Sequence, residues 1–154
     1  MLRQAQVFMS DVSGPPESED EQRRLTNTLH ALEHASRLAE AAGEKAEFTA
    51  LNGDDDVRAS RLCADALRSA VVAAREVAAP SIPAASTEKA LKRLEHCAKT
   101  LDELQRAHRS ATLSAVASGA VTGGEAIARV DAVRRLDAFA HHAWRSAAHL
   151  VGRA

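Results

Sequence analysis

The chain has 154 residues, enough for one domain with a real core, and 45% of them are hydrophobic against 27% charged. A formal net charge of −1 gives no global attraction to nucleic acid or to an anionic membrane, and an aromatic content of 3% with no tyrosine argues against a strand-rich fold. There is no run of 18 or more apolar residues and no signal-peptide pattern. The expectation is a cytoplasmic protein without direct membrane insertion, with Cys63 and Cys97 as reduced thiols.

Residues 1–16 read as a loose leader, because Ser13-Gly14-Pro15-Pro16 does not continue a helix. The remainder, 17–154, reads as a single helical domain. Acidic residues at Glu17, Glu19, Asp20 and Glu21 suit the first turn of a helix running over about 18–42. Its apolar face is expected to be Leu25, Leu29, Leu32, Ser36 and Ala39, which recur at spacings of three and four.

Asn52-Gly53-Asp54-Asp55-Asp56 combines a turn with a helix start. The second helix has an inner face of Ala59, Leu62, Cys63, Ala66, Leu67, Ala70, Ala73, Ala74 and Val77, and Pro80 and Pro83 end it. Ser86 is the expected N-cap of a third helix whose apolar face includes Leu91, Leu94, Ala98, Leu101, Leu104 and Ala115, with Ser118-Gly119-Ala120 as its stop. Thr122-Gly123-Gly124-Glu125 is a capping box opening a fourth helix, which directs Val133, Leu136, Ala140, Ala143, Ala147 and Leu150 inward. Four amphipathic segments with short breaks predict an all-α, antiparallel up-down four-helix bundle.

Several chemical signatures are absent. There is no Gly-Lys-Ser/Thr phosphate loop, no dinucleotide fingerprint, no Cys-x-x-Cys and no Glu-x-x-His pair of a di-iron bundle. The chain is therefore expected to act by binding, not as an enzyme, and no catalytic residue is assigned. Cys63 and Cys97 fall on apolar faces at heights that differ by roughly 9 Å at about 1.5 Å per residue, too far for a disulfide.

Histidine is the informative excess, with seven in the chain. His108 lies on the apolar face of the third helix, and the plain reading is a partly buried imidazole with one nitrogen hydrogen-bonded. His30 and His34, four apart, project away from the leucine face of the first helix, so a solvated polar face is their simplest reading. On the fourth helix Asp131, Arg135, His142, Arg145 and His149 form one stripe opposite the core, and Arg134, Asp137 and His141 form a second beside it. Cationic groups near a helix C-terminus suit its dipole. The functional alternative is a surface for anionic groups, formed by His30, His34, Arg135, His142, Arg145 and His149 where the first and fourth helices adjoin. Two rivals stand beside it: a metal-binding bundle, or a metal-dependent enzyme, on His30, His34, Asp137 and His141, and a dimerisation module that buries alanine faces against a second copy.

Leu29-His30-Ala31-Leu32-Glu33-His34 with Arg37-Leu38-Ala39 is similar to the opening helix of the PhoU-like domain of sodium/phosphate cotransporters. Ala107-His108-Arg109, Ala126 to Asp131, Arg134-Arg135-Leu136-Asp137 and His142 to Leu150 resemble that domain's end. The resemblance covers about residues 22–151 at the level of fold and is specific only at its two ends. It implies a cytoplasmic regulatory or accessory bundle in phosphate transport and homeostasis, with a membrane transporter or signalling protein as partner. Free PhoU proteins hold metal ions on carboxylate patterns of the form Glu/Asp-x-x-x-Asp. The nearest counterparts here, Glu17 to Glu21 and Glu40 to Glu44, end in glutamate, so no cofactor is carried over.

Overall fold

The structure is a computed structural model, and it describes residues 2–11, 18–43, 53–78 and 84–152. Ser13-Gly14-Pro15-Pro16, Glu17, Glu44, Asn52, Pro80 and Pro83, to which the sequence reading assigns breaks or carboxylate pairs, lie outside these residues. The described chain is all-helical: α1 (Leu2–Asp11), α2 (Glu19–Gly43), α3 (Asp54–Ala78), α4 (Ala84–Ala117) and α5 (Gly123–Leu150). No strand occurs among the described residues, as the composition leads one to expect, and none of these helices is long and apolar enough to cross a membrane.

Local chemistry accounts for the helix ends. Ser18 Oγ accepts from the Glu21 N–H at 3.2 Å, and the acidic first turn Glu19, Asp20 and Glu21 complements the α2 dipole. At the start of α5 the capping box forms as the sequence predicts: Thr122 accepts from the Glu125 N–H, and the Glu125 carboxylate accepts from the Thr122 N–H at 3.0 Å. The α4 stop is a Schellman motif, in which Gly119 takes φ 75° while the Gly119 and Ala120 N–H groups donate to Val116 and Ala115.

Two boundaries differ from expectation. Residues 2–11, read from the sequence as part of a loose segment, form the helix α1, since Leu2-Arg3-Gln4-Ala5-Gln6 is a run of good helix formers. Met9 of α1 sits with Leu29, Leu32 and Ser36 in one groove along α2. Helix α4 begins two residues before Ser86, because the preceding Ala84-Ala85 already favours helix.

The core lies between α3, α4 and α5, each of which packs against the other two. Leu94, Leu101 and Val133 are fully enclosed there, with Ala59, Ala66 and Ala140 allowing close approach of the backbones. Both cysteines are buried and free, as expected. Burial pushes the Cys63 thiol up to about 11, with the nearby Asp137 carboxylate adding to the effect, so it is not a ready nucleophile.

Cross-helix contacts run in opposite order along α3 and α4 (Asp56 with His108, Asp65 with Arg93) and along α2 and α5 (Asn27 with His149, His34 with His142). Each of these two pairs is antiparallel. Helix α2 packs on α5 and α1 and, among the described residues, on neither α3 nor α4. The molecule is thus a three-helix core with α2 laid along one side of α5.

The docked face of α2 is not the leucine face. Leu29 is 49% exposed and Ala39 is exposed, whereas Ala31 is buried at 5%. Two residues turn a helix by about 200°, so Ala31 and Leu29 look in nearly opposite directions. Ala31 presents only a methyl group, which lets the two backbones approach closely, and Ser146 Oγ of α5 reaches the Ala31 carbonyl at 3.0 Å. The leucines turn instead towards α1. Three further residues depart from the expected inner faces: Ala74 and Leu150 are exposed, and Ala115 is only half-buried.

Candidate metal centre

The turn of α2 carries histidine into the interface. His34 lies three residues after the buried Ala31 and so shares its face towards α5. On α5 the stripe expected to lie opposite the core is covered by α2: His142 is half-buried and His149 only 7% exposed. The solvated polar face expected of His30 and His34 does not describe His34, because that expectation assumes that α2 docks through its leucines, whereas the His30 side chain stays half exposed.

Five histidines meet in this seam. The His34 ring is 5.3 Å from the His142 ring, 6.0 Å from the His141 ring and 5.8 Å from the His149 ring, centroid to centroid. His30 stands 4.9 Å from His149. Around them, Ser146 Oγ donates to the Ala31 carbonyl at 3.0 Å, and Arg145 Cζ lies 5.7 Å from the Trp144 ring centroid.

The tightest contact joins His34 Nδ1 and His142 Nδ1 at 3.0 Å. One of these nitrogens must carry a hydrogen and the other a free lone pair. His149 is more fully specified. Arg145 Nη2 donates to its Nε2 at 3.2 Å, which leaves Nδ1 as the donor to Asn27 Oδ1 at 3.4 Å. That arrangement requires a neutral imidazole.

Electrostatics agree with the hydrogen bonding. His34 is lowered to about 4, first by burial and then by His142, Arg145, His141 and His149. Burial and His141 lower His142, and burial with Arg145 and His30 lowers His149. Lowered below their ordinary value, these three rings favour the uncharged form at neutral pH.

One ligand nitrogen each from His34, His141 and His142 lies within 4.8 Å of the others. Two nitrogens at about 2.0–2.1 Å from a tetrahedral zinc ion stand about 3.4 Å apart, so small side-chain movements would close the set. The donor chemistry fits a borderline transition metal ion such as zinc, nickel, cobalt or copper, and not the oxygen-seeking magnesium or calcium.

Of the anion-surface set, the structure brings together His30, His34, His142, Arg145 and His149. Arg135 does not join them: its Nε donates to Asp131 Oδ2 at 3.2 Å, seven residues or about 10 Å before His142 along α5. Of the alternative metal set, His30, His34 and His141 share the seam. Asp137 instead faces α3 and α4, where burial first and Asp102 second raise its carboxyl above the usual range. Asn27 and Ser146 carry no sequence signal for the roles they play, since neither forms part of a recognisable motif.

A second buried polar cluster sits at the other end of the core. His108 Nε2 donates to Asp56 Oδ1 at 2.8 Å, while Arg129 Nη2 and the Gly53 N–H donate to Asp56 Oδ2 at 3.0 and 2.8 Å. This is the hydrogen-bonded histidine that the sequence suggests for His108, with an unforeseen carboxylate as partner. Asp54, Asp55 and Asp56 look alike in sequence, and only the fold distinguishes Asp56, which is fully buried. A Cβ at Gly53 would stand 2.9 Å from Arg129 Nη2 and 3.1 Å from Asp56 Oδ2, so a side chain there would displace the Arg129 guanidinium from its place beside Asp56.

Comparison of the chain with family models, with curated proteins and with solved structures finds no match.

Proposed function

We propose that this chain is a helical metal-binding protein that takes one transition metal ion on His34, His141 and His142, between α2 and α5. The observation that carries the reading is the convergence of three imidazole nitrogens within 4.8 Å. Neutral imidazole is the form that ligates, and burial already holds two of the three rings in that form.

The PhoU-like reading makes α2 to α5 an antiparallel up-down four-helix bundle that regulates phosphate transport through a transporter or signalling partner. It rests on the sequence resemblance and on the meeting of His30, His34, His142, Arg145 and His149. An anion surface draws its strength from charge. Three of these histidines are held below their ordinary value, so the seam favours a metal ion over phosphate or an acidic partner.

The test is a titration of the purified chain with cobalt(II) and zinc(II), followed by absorption spectroscopy and calorimetry. The expected result is one ion per chain, with cobalt d–d bands that zinc abolishes. Binding that stays unchanged in the His34→Ala/His142→Ala double variant would remove the assignment, as would a preference for magnesium over zinc.

A further inference from the structure

The three ligands come from two helices. His141 and His142 belong to α5, part of the three-helix core, and His34 belongs to α2, which among the described residues touches only α5 and α1. Little of α2 is fully buried in its contact with α5. Ala31 is the one α2 residue among those described that falls in the buried class, and Leu38 is its partly buried contribution to the main core cluster. Direct bonds across the seam include Ser146 to the Ala31 carbonyl, His34 to His142, and His149 to Asn27.

We propose that the metal ion acts as a latch that fixes α2 on α5, so that ion binding and α2 docking are one coupled equilibrium. This rests on the metal-binding reading above and goes beyond it. Undocking α2 takes His34 away and leaves His141 and His142, adjacent residues that diverge by about 100° around their helix. The undocked form keeps at most a remnant of the site. An ion that binds the docked form and not the undocked one shifts the balance by the factor 1 + [metal]/Kd. At zinc held about 100-fold above Kd, opening of α2 falls about 100-fold. The latch makes α2 a responsive element: with the ion it covers the side of α5 that carries His142, Ser146 and His149, and without it that side is intermittently uncovered.

The test is hydrogen exchange of the whole chain, resolved by peptide, in zinc, in magnesium and with a chelator, beside calorimetry on the same samples. The latch predicts that zinc slows exchange in peptides of 19–43 by about 100-fold under those conditions, with a much smaller change in α3 and α4 and none with magnesium. In the His34→Ala variant zinc leaves α2 exchange unaltered. If zinc binds one to one but α2 exchange does not respond, the latch is overturned and the metal site stands. If zinc slows α2, α3 and α4 equally, α2 opens only when the whole chain unfolds, and the latch is again overturned. If zinc does not bind at all, the metal reading and the latch fall together.

Discussion

Asp56 and His108, at the start of α3 and within α4, meet at 2.8 Å with side-chain exposures of 0% and 4%. Arg129 from α5 completes the contact at 3.0 Å, so one carboxylate ties together all three helices of the core.

This junction should dominate stability at its end of the molecule. Asp56→Asn removes the charge that His108 and Arg129 face and leaves the buried His108 and the half-buried Arg129 against a neutral amide. Breaking a buried pair of this kind costs about 3–5 kcal/mol, measurable by urea denaturation at pH 7. A loss below about 1 kcal/mol would show that the cluster is not a fastener. The pH dependence has a definite sign. Burial works against ionisation of Asp56, but the Gly53 N–H, His108 and Arg129 overcome it and hold the carboxyl below its usual range. The unfolded chain therefore takes up this proton first. The stabilisation is present above the unfolded value of about 4 and is lost as pH falls below it, so the gap between wild type and Asp56→Asn should narrow from pH 6 towards pH 3.

The histidine seam should make the metal-free protein acid-sensitive in a different range. His34 is lowered to about 4, and His142 and His149 are also lowered, so the unfolded chain binds more protons than the folded one below about pH 6.5. Stability from the seam is complete above about pH 6.5 and is lost as pH falls towards about 4. In chelator-treated protein, denaturation midpoints should decline over this range, and His34→Gln should flatten the decline. An equal slope in wild type and variant would refute the assignment.

The rotation of α2 is open to a packing test. Ala31→Leu forces a large side chain into the α2–α5 contact and should cost about 1–3 kcal/mol. Leu29→Ala, at a side chain already 49% exposed, should cost no more than about 1 kcal/mol. Thermal or urea denaturation of the two variants gives the order directly, and the reverse order would mean that the leucine face is the buried one.

The legible and illegible parts of this molecule divide along physical lines. Periodicity, caps and breakers are local, so α2 to α5 and the Thr122–Glu125 cap could be read from the chain. The α1 helix was hidden by the glycine–proline run after it, which marks a break but says nothing of the residues before. The face of α2 was misread because three leucines outweigh one alanine on any hydrophobicity count. Docking was decided by the closeness that Ala31 permits against α5, a property of two surfaces at once. The meeting of His30, His34, His142 and His149 follows from α2 and α5 being neighbours and was within reach of sequence. The convergence of His142 with His34 and His141 in the proposed metal set, and the role of Asp56 as the partner of His108, depend on three-dimensional register.

The seam joins parts of the chain that are far apart in sequence: 108 residues separate His34 from His142, and 122 separate Asn27 from His149. Contacts within α3, α4 and α5 close shorter loops, and longer loops cost more entropy to close before any contact rewards them. Helix α2 is therefore expected to find its place after α3, α4 and α5 when the chain refolds. During synthesis the delay is longer still, because at about 5–20 residues per second the α5 surface follows His34 by roughly 5–20 s. Throughout that interval the alanine and histidine face of α2 has no native surface to rest on. Pulse-labelled exchange during refolding should show residues 19–43 gaining protection after α3 and α4.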